Sequence, residues 1–211
     1  MATLLFFYML LNFFLFNIII EVEESMKKGD FMIRRVKDED AKRLVEIYNY
    51  YIRETQVTLE LKELTEQEYL ERIHQVTSFY PWLVYEEKGV VYGFAYLDKF
   101  NTRKAYATTA DLSIYVDHNL KRKGIGQRLY QEIEKLGLSL GLCKIISLVT
   151  TSNRSSISFH KAMGFTKLCL IKNAAYKHGK WVGVTFLEKN VQSIVVPSLN
   201  KDEPSYRNKV E

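Results

Sequence analysis

A chain of 211 residues, 47% hydrophobic and 26% charged, has the size and make-up of one well-buried domain with a little to spare, which excludes general disorder. Its net charge of +5 is spread along the sequence and forms no basic stripe, so no nucleic-acid partner is expected. Two unclustered cysteines, Cys143 and Cys169, and four scattered histidines, His74, His118, His160 and His178, give neither a disulfide framework nor a metal-ligand spacing, and no metal is expected.

Residues 3–20 form an uncharged, mostly apolar run, long enough to cross most of a bilayer as a helix at about 1.5 Å per residue. A signal peptide fits poorly, because there is no basic start and no small-residue cleavage site before Glu21. Two readings of the 1–30 extension stay open. One is a membrane anchor with Lys27 and Lys28 on the cytoplasmic side, so that a membrane enters only if this segment is retained. The other is an over-extended start, with Met26 or Met32 as the true first residue at the edge of the globular pattern.

The domain proper covers 31–191, and a loose tail with Pro197, Pro204 and mixed charge covers 192–211. Residues 31–36 read as a strand. Asp38 is expected to cap a helix whose apolar face is Ala41, Leu44, Val45, Tyr48 and Ile52. Thr65 with Glu68 is a capping box opening a second helix through Ile73 and Val76. Residues 82–87 and 90–97, joined by Lys88-Gly89, make a hairpin, and a longer strand is expected over 105–116. A basic loop follows, Lys121-Arg122-Lys123-Gly124-Ile125-Gly126-Gln127, and then a helix with Ile125, Leu129, Ile133, Leu136 and Leu140 at helical spacing.

Glycines one residue apart let backbone N–H groups face a guest, and a helix N-terminus adds unsatisfied donors and positive partial charge. The loop therefore suits a phosphate or pyrophosphate, although a G-x-G alone also suits a solvated basic turn. Gly141 ends the helix, residues 144–151 read as a β-branched strand, and Asn153 caps a helix that stops at Gly164. Two last strands, 165–175 and 181–191, flank a His178-Gly179 turn. With no repeat and no linker, one α/β domain is the simplest account.

Two residues stand out. Asp111 sits in a strand whose alternate positions, Ala110, Leu112, Ile114 and Val116, are apolar, where a carboxylate is either on the solvent face or kept as a base. His160 lies on a helix with Asn153 at its start, where a lone histidine is either packed or catalytic.

The order of a strand with a carboxylate, the loop K-R-K-G-I-G, and N-x-x-S-x-x-x-H-x-x-x-G-F downstream resembles the GNAT superfamily of N-acetyltransferases. Tyr80-Pro81-Trp82, Ala105-Tyr106, Ile114-Tyr115-Val116 and Tyr176-Lys177-His178-Gly179-x-Trp181 bring the resemblance closest to the phosphinothricin and methionine sulfoximine N-acetyltransferases. The resemblance implies a single domain with a mixed, mostly antiparallel sheet of about six to seven strands and about four helices. It places acetyl-CoA, as co-substrate, in a splay between strand 105–116 and strand 144–151.

The resemblance further implies that Lys121, Arg122, Lys123, Gly124, Ile125, Gly126 and Gln127 hold the pyrophosphate. Ile114 and Val116 would pair with the pantetheine arm, and Asn153 and Ser156 add polar contacts. Asp111 matches the catalytic base and His160 a second catalytic group. Arg103 and Tyr106 match residues that touch a carboxylate-bearing substrate. It implies a cytoplasmic homodimer acting on a small amino-acid-like amine, with a peptide or protein α-amine acetylase and a non-catalytic acetyl-CoA-binding module as alternatives. Leu59 and Glu60 depart from the aromatic and basic residues that herbicide-acetylating members tend to carry, which leaves the particular amine open.

Overall fold

The computed structural model describes residues 31–120 and 124–192. The 1–30 extension, the loop cations Lys121, Arg122 and Lys123, and the tail beyond Gln192 lie outside them. Among the described residues seven strands are present: β1 (Phe31–Arg35), β2 (Trp82–Glu87), β3 (Val90–Lys99), β4 (Thr109–Val116), β5 (Lys144–Thr150), β6 (Thr166–Lys177) and β7 (Lys180–Asn190). Four α-helices join them: α1 (Ala41–Glu54), α2 (Glu66–Thr77), α3 (Ile125–Ser139) and α4 (Arg154–Ala162). The strands make one sheet in the order β1-β2-β3-β4-β5-β7-β6, antiparallel throughout except between β4 and β5.

Local chemistry explains most of these elements. Thr65 Oγ1 accepts the Glu68 amide at 3.2 Å and the Glu68 carboxylate accepts the Thr65 amide at 2.7 Å, which is the reciprocal cap expected of α2. Asn153 Oδ1 accepts the Ser156 amide at 3.1 Å and starts α4. Lys88 with Gly89, and His178 with Gly179, hold positive φ in the two tight hairpin turns.

Three expectations needed correction. Asp38 does not cap α1, because residues 38–40 form a 3-10 turn. Asp40 closes that turn by accepting the Lys37 amide at 2.8 Å and a two-pronged Arg34 contact at 2.7 and 2.8 Å, while Asp38 faces His74. Strand β4 starts at Thr109 rather than at 105, since residues 104–106 turn in a 3-10 bend closed by the Tyr106 amide on the Arg103 carbonyl. Leu140 lies past the end of α3 and is exposed. Gly141, with φ +80°, reverses the chain there and lets Leu142 fill the core in its place.

Each sheet face carries its own core. Alternate residues of β2 to β5 put Leu83, Ala95, Leu97, Ala110, Leu112 and Ile145 against Ile125, Leu129, Ile133 and Leu136 of α3. On the other face Trp82, Val84 and Phe94 meet Leu44, Val45, Tyr48, Tyr69 and Ile73 of α1 and α2. β4 thus runs between two packed layers. Among the described residues no helix is long and apolar enough to cross a membrane.

Candidate active site

The parallel contact of β4 with β5 lasts three rungs: Thr109 with Lys144, Ala110 with Ile145 and Asp111 with Ile146. β5 stays on β7 as far as Thr150 opposite Val184, and β4 stays on β3 as far as Val116 opposite Gly93. The two strands part after Asp111, so among the described residues β4 from Leu112 to Val116 has no strand on that side. Side chains take two of its carbonyls, the Ser147 hydroxyl donating to Leu112 at 3.0 Å and the Tyr51 hydroxyl to Val116. The other backbone groups of this edge can receive an extended ligand as though it were a strand.

A cleft of about 560 Å³ lies along that edge, walled by Ile114, Tyr115 and Val116, by Tyr51 and Val57, by Asn153, and by Ser156, Phe159 and His160 of α4. Gly124 to Gln127 form its mouth. Gly124 has φ +67° and caps α3 without a side-chain bond, leaving the first-turn amides without intrahelical partners. A Cβ on Gly126 would stand 3.7 Å from Phe159 and 3.9 Å from Ile114, inside the space between the cleft walls. The approach to this turn is anchored by Asp117, which pairs with Arg43 and accepts the Asn119 amide at 2.8 Å.

Asp111 sits at the last rung, opposite Asp98 on β3. Its Oδ1 is buried and has no hydrogen-bond partner among the described residues. Burial pushes its pKa up to about 7, the Leu112 amide pulls the other way, and the Asp98 charge adds to the rise. A carboxyl so placed exchanges a proton near neutrality, where an ordinary aspartate stays ionised.

His160 is 5% exposed, with Nε2 2.8 Å from Ser147 Oγ and Nδ1 2.8 Å from the Ser156 carbonyl. Burial lowers its pKa, while the Ser156 contact acts to raise it. Arg103 and Tyr106 lie on the exposed turn before β4, Tyr106 against the ring of Phe100, and neither lines the cleft.

The chain matches the family described as "Acetyltransferase (GNAT) domain" over residues 33–185. It belongs to the GNAT acetyltransferase family. It is 32% identical to the phosphinothricin N-acetyltransferase of Streptomyces viridochromogenes over 168 residues, 80% of this chain and 92% of that protein. With the L-methionine sulfoximine/L-methionine sulfone acetyltransferase of Salmonella typhimurium it shares 28% identity over 118 residues, 56% of this chain and 69% of that one. The structure of a GNAT superfamily phosphinothricin acetyltransferase from Sinorhizobium meliloti in complex with AcCoA overlays with a TM-score of 0.74 at 29% identity, covering 81% of this chain and 97% of that one.

As a GNAT acetyltransferase, the protein takes its acetyl group from acetyl-CoA. The residues present fit that co-substrate: an unpaired strand edge for an extended arm, and a glycine-lipped helix start at the mouth for its phosphates.

Several residues in and around this site carried no role in the sequence expectations. Ser147 was legible only as a polar residue at a core-facing position of a β-branched strand. Lys177 is 1% exposed, and its Nζ donates to the Thr58 carbonyl at 2.8 Å, tying the segment after α1 to the β6–β7 turn. Glu60 accepts the Tyr48 hydroxyl at 2.9 Å and pairs with Arg72 at 2.8 Å, so it braces that segment from below. A second cavity of about 440 Å³ adjoins the cleft there, sharing Val57 and Asn153 and bordered by Glu54, His178 and Lys180.

Proposed function

We propose that the protein moves the acetyl group of acetyl-CoA to the α-amine of a small amino-acid-like substrate of the phosphinothricin or methionine sulfoximine type. The observation that carries this reading is Asp111, a buried carboxyl with an unpartnered oxygen at the point where β4 leaves β5. The named activities of the two curated relatives supply the substrate class. The amides of Gly124 to Gln127, with Lys121, Arg122 and Lys123 just before them in sequence, grip the pyrophosphate. Ile114 and Val116 offer their edge to pantetheine, and Asn153 and Ser156 add polar contacts.

The amine arrives mainly as ammonium and must lose a proton before it can attack. Asp111 accepts that proton through a bridging water, being one methylene shorter than a glutamate at this position. The nitrogen lone pair then attacks the acetyl carbon, an N–H of the unpaired β4 edge receives the oxyanion, and the C–S bond breaks as the new amide nitrogen sheds its second proton to water. An alkyl thiol with a pKa of about 8.5 leaves as thiolate without a dedicated acid, which suits a His160 whose ring nitrogens are both engaged. Arg103 and Tyr106, outside the cleft walls, are kept as contacts for the substrate carboxylate.

The two free cysteines fit a reducing cytoplasm, where acetyl-CoA is supplied. Family likeness and the exposed Leu168, Leu170, Tyr176 and Trp181 of β6 and β7 support a homodimer. Thiol release from acetyl-CoA, followed with a panel of amino acids, sulfoximines, polyamines and peptides, tests the whole reading. Release with amino-acid analogues is expected; release with peptides alone overturns the substrate class.

A further inference from the structure

β4 and β5 separate at a definite point, and a chain of three close polar contacts stands there. After the rung of Asp111 with Ile146, a continuous parallel ladder would next bring Leu112 beside Ser147. Instead the Ser147 hydroxyl lies 3.0 Å from the Leu112 carbonyl oxygen and 2.8 Å from His160 Nε2. His160 Nδ1 lies 2.8 Å from the Ser156 carbonyl, one turn back on α4. Phe159 and Phe165 meet the imidazole edge-on at 5.2 and 5.0 Å between centroids, which fixes its tilt. Ser147 is 1% exposed, so no water competes for its hydroxyl. A side chain thus occupies the place where a strand amide would close the next rung, and the ladder cannot zip further.

We propose that Ser147 and His160 are positioning residues that together act as a spacer, holding the β4–β5 splay at the width an acyl thioester needs. The proposal rests on the acetyl-transfer reading above and deepens it. Next to the pair is a recess of about 50 Å³ bounded by Leu112, Val149 and Ser156, room for a group of a few heavy atoms. Without the spacer, Leu112 can take an N–H of β5 and the recess closes.

Engagement of both ring nitrogens separates this role from that of a general acid. Nδ1 lies 2.8 Å from the Ser156 carbonyl oxygen and 3.3 Å from the Ser156 hydroxyl, and Nε2 lies 2.8 Å from the Ser147 hydroxyl, which itself donates to the Leu112 carbonyl. A departing thiolate would have to break one of these contacts to take a proton from the ring.

Calorimetric binding of acetyl-CoA to the full chain tests the spacer, with wild type, Ser147→Ala, His160→Phe and the double variant compared. Each single variant should bind about tenfold more weakly, and the double no more weakly than either, because one bonded chain is broken in all three. The pH midpoint of kcat should stay at the wild-type value in both single variants. Wild-type affinity in Ser147→Ala, or losses that add in the double variant, overturns the spacer. So does a pH limb erased by His160→Phe but kept by Ser147→Ala, which assigns the histidine to proton transfer. Failure of the wild type itself to bind acetyl-CoA overturns the acetyl-transfer reading instead. Should His160→Phe not fold, Ser147→Ala, which removes a single oxygen, decides by affinity and pH profile.

Discussion

On the proposed reading, Asp111 carries both the chemistry and the cost of this site in one side chain. Its pKa of about 7 exceeds the ordinary aspartate value, so the folded protein holds the proton more tightly than the unfolded chain does. Two results follow, with opposite signs. kcat/KM should climb as pH rises through about 7 and the carboxyl ionises, and Asp111→Asn should remove that limb and lower kcat by about 10²- to 10⁴-fold, with acetyl-CoA affinity little changed. Stability runs the other way: the unfolded carboxyl ionises from about pH 4, the folded one only near 7, and between these values the fold loses stability as pH rises. Asp111→Asn should therefore raise the melting temperature at pH 8 and leave it unchanged at pH 3. Equal losses of kcat and affinity, or a lower melting temperature at pH 8, would count against the assignment.

At the scale of elements, what was legible depended on how local the cause was. The Thr65–Glu68 box, the Asn153 cap and the Lys88-Gly89 and His178-Gly179 turns are settled within four residues, and they stand as read. The expectation of strand from 105 took a β-rich string at face value, where the Arg103–Tyr106 turn bond prevails. Ser147 and Lys177 could not be read as site residues, because their partners lie at Leu112 and Thr58, far away in sequence. The Lys177 tether makes a prediction at this level. Lys177→Met keeps the apolar stem but frees the 55–60 segment, and should raise the KM for the amine several-fold while acetyl-CoA binding at the α3 end holds. Steady-state kinetics with each substrate varied in turn would separate the two. At the cleft mouth, Gly124→Ala forces a side chain into φ +67° and should destabilise the fold by about 1 kcal/mol, read from denaturant unfolding.

For the molecule as a whole, the α/β class and strand number were readable from alternation and helical spacing, since each face of the sheet repeats its pattern over many residues. The splay was not readable from spacing, because a ladder that stops after three rungs leaves no mark on either strand's own pattern. If the exposed β6–β7 face joins two copies, Trp181→Lys should shift the sedimenting mass from dimer to monomer while leaving the helical circular dichroism intact. The short parallel contact also has a mechanical meaning. β1 to β4 form one hydrogen-bonded plate and β5, β7 and β6 another, and three rungs are the seam between them. Amide hydrogen exchange should find the protection of Ala110 and Ile145 lower than that of Leu97 or Leu187, which lie inside each plate. Acetyl-CoA laid along the seam would then serve as a stitch as well as a reagent. At a hundred times its Kd it should add about 2.7 kcal/mol to unfolding, and the slowed exchange should appear first at the rungs it prolongs.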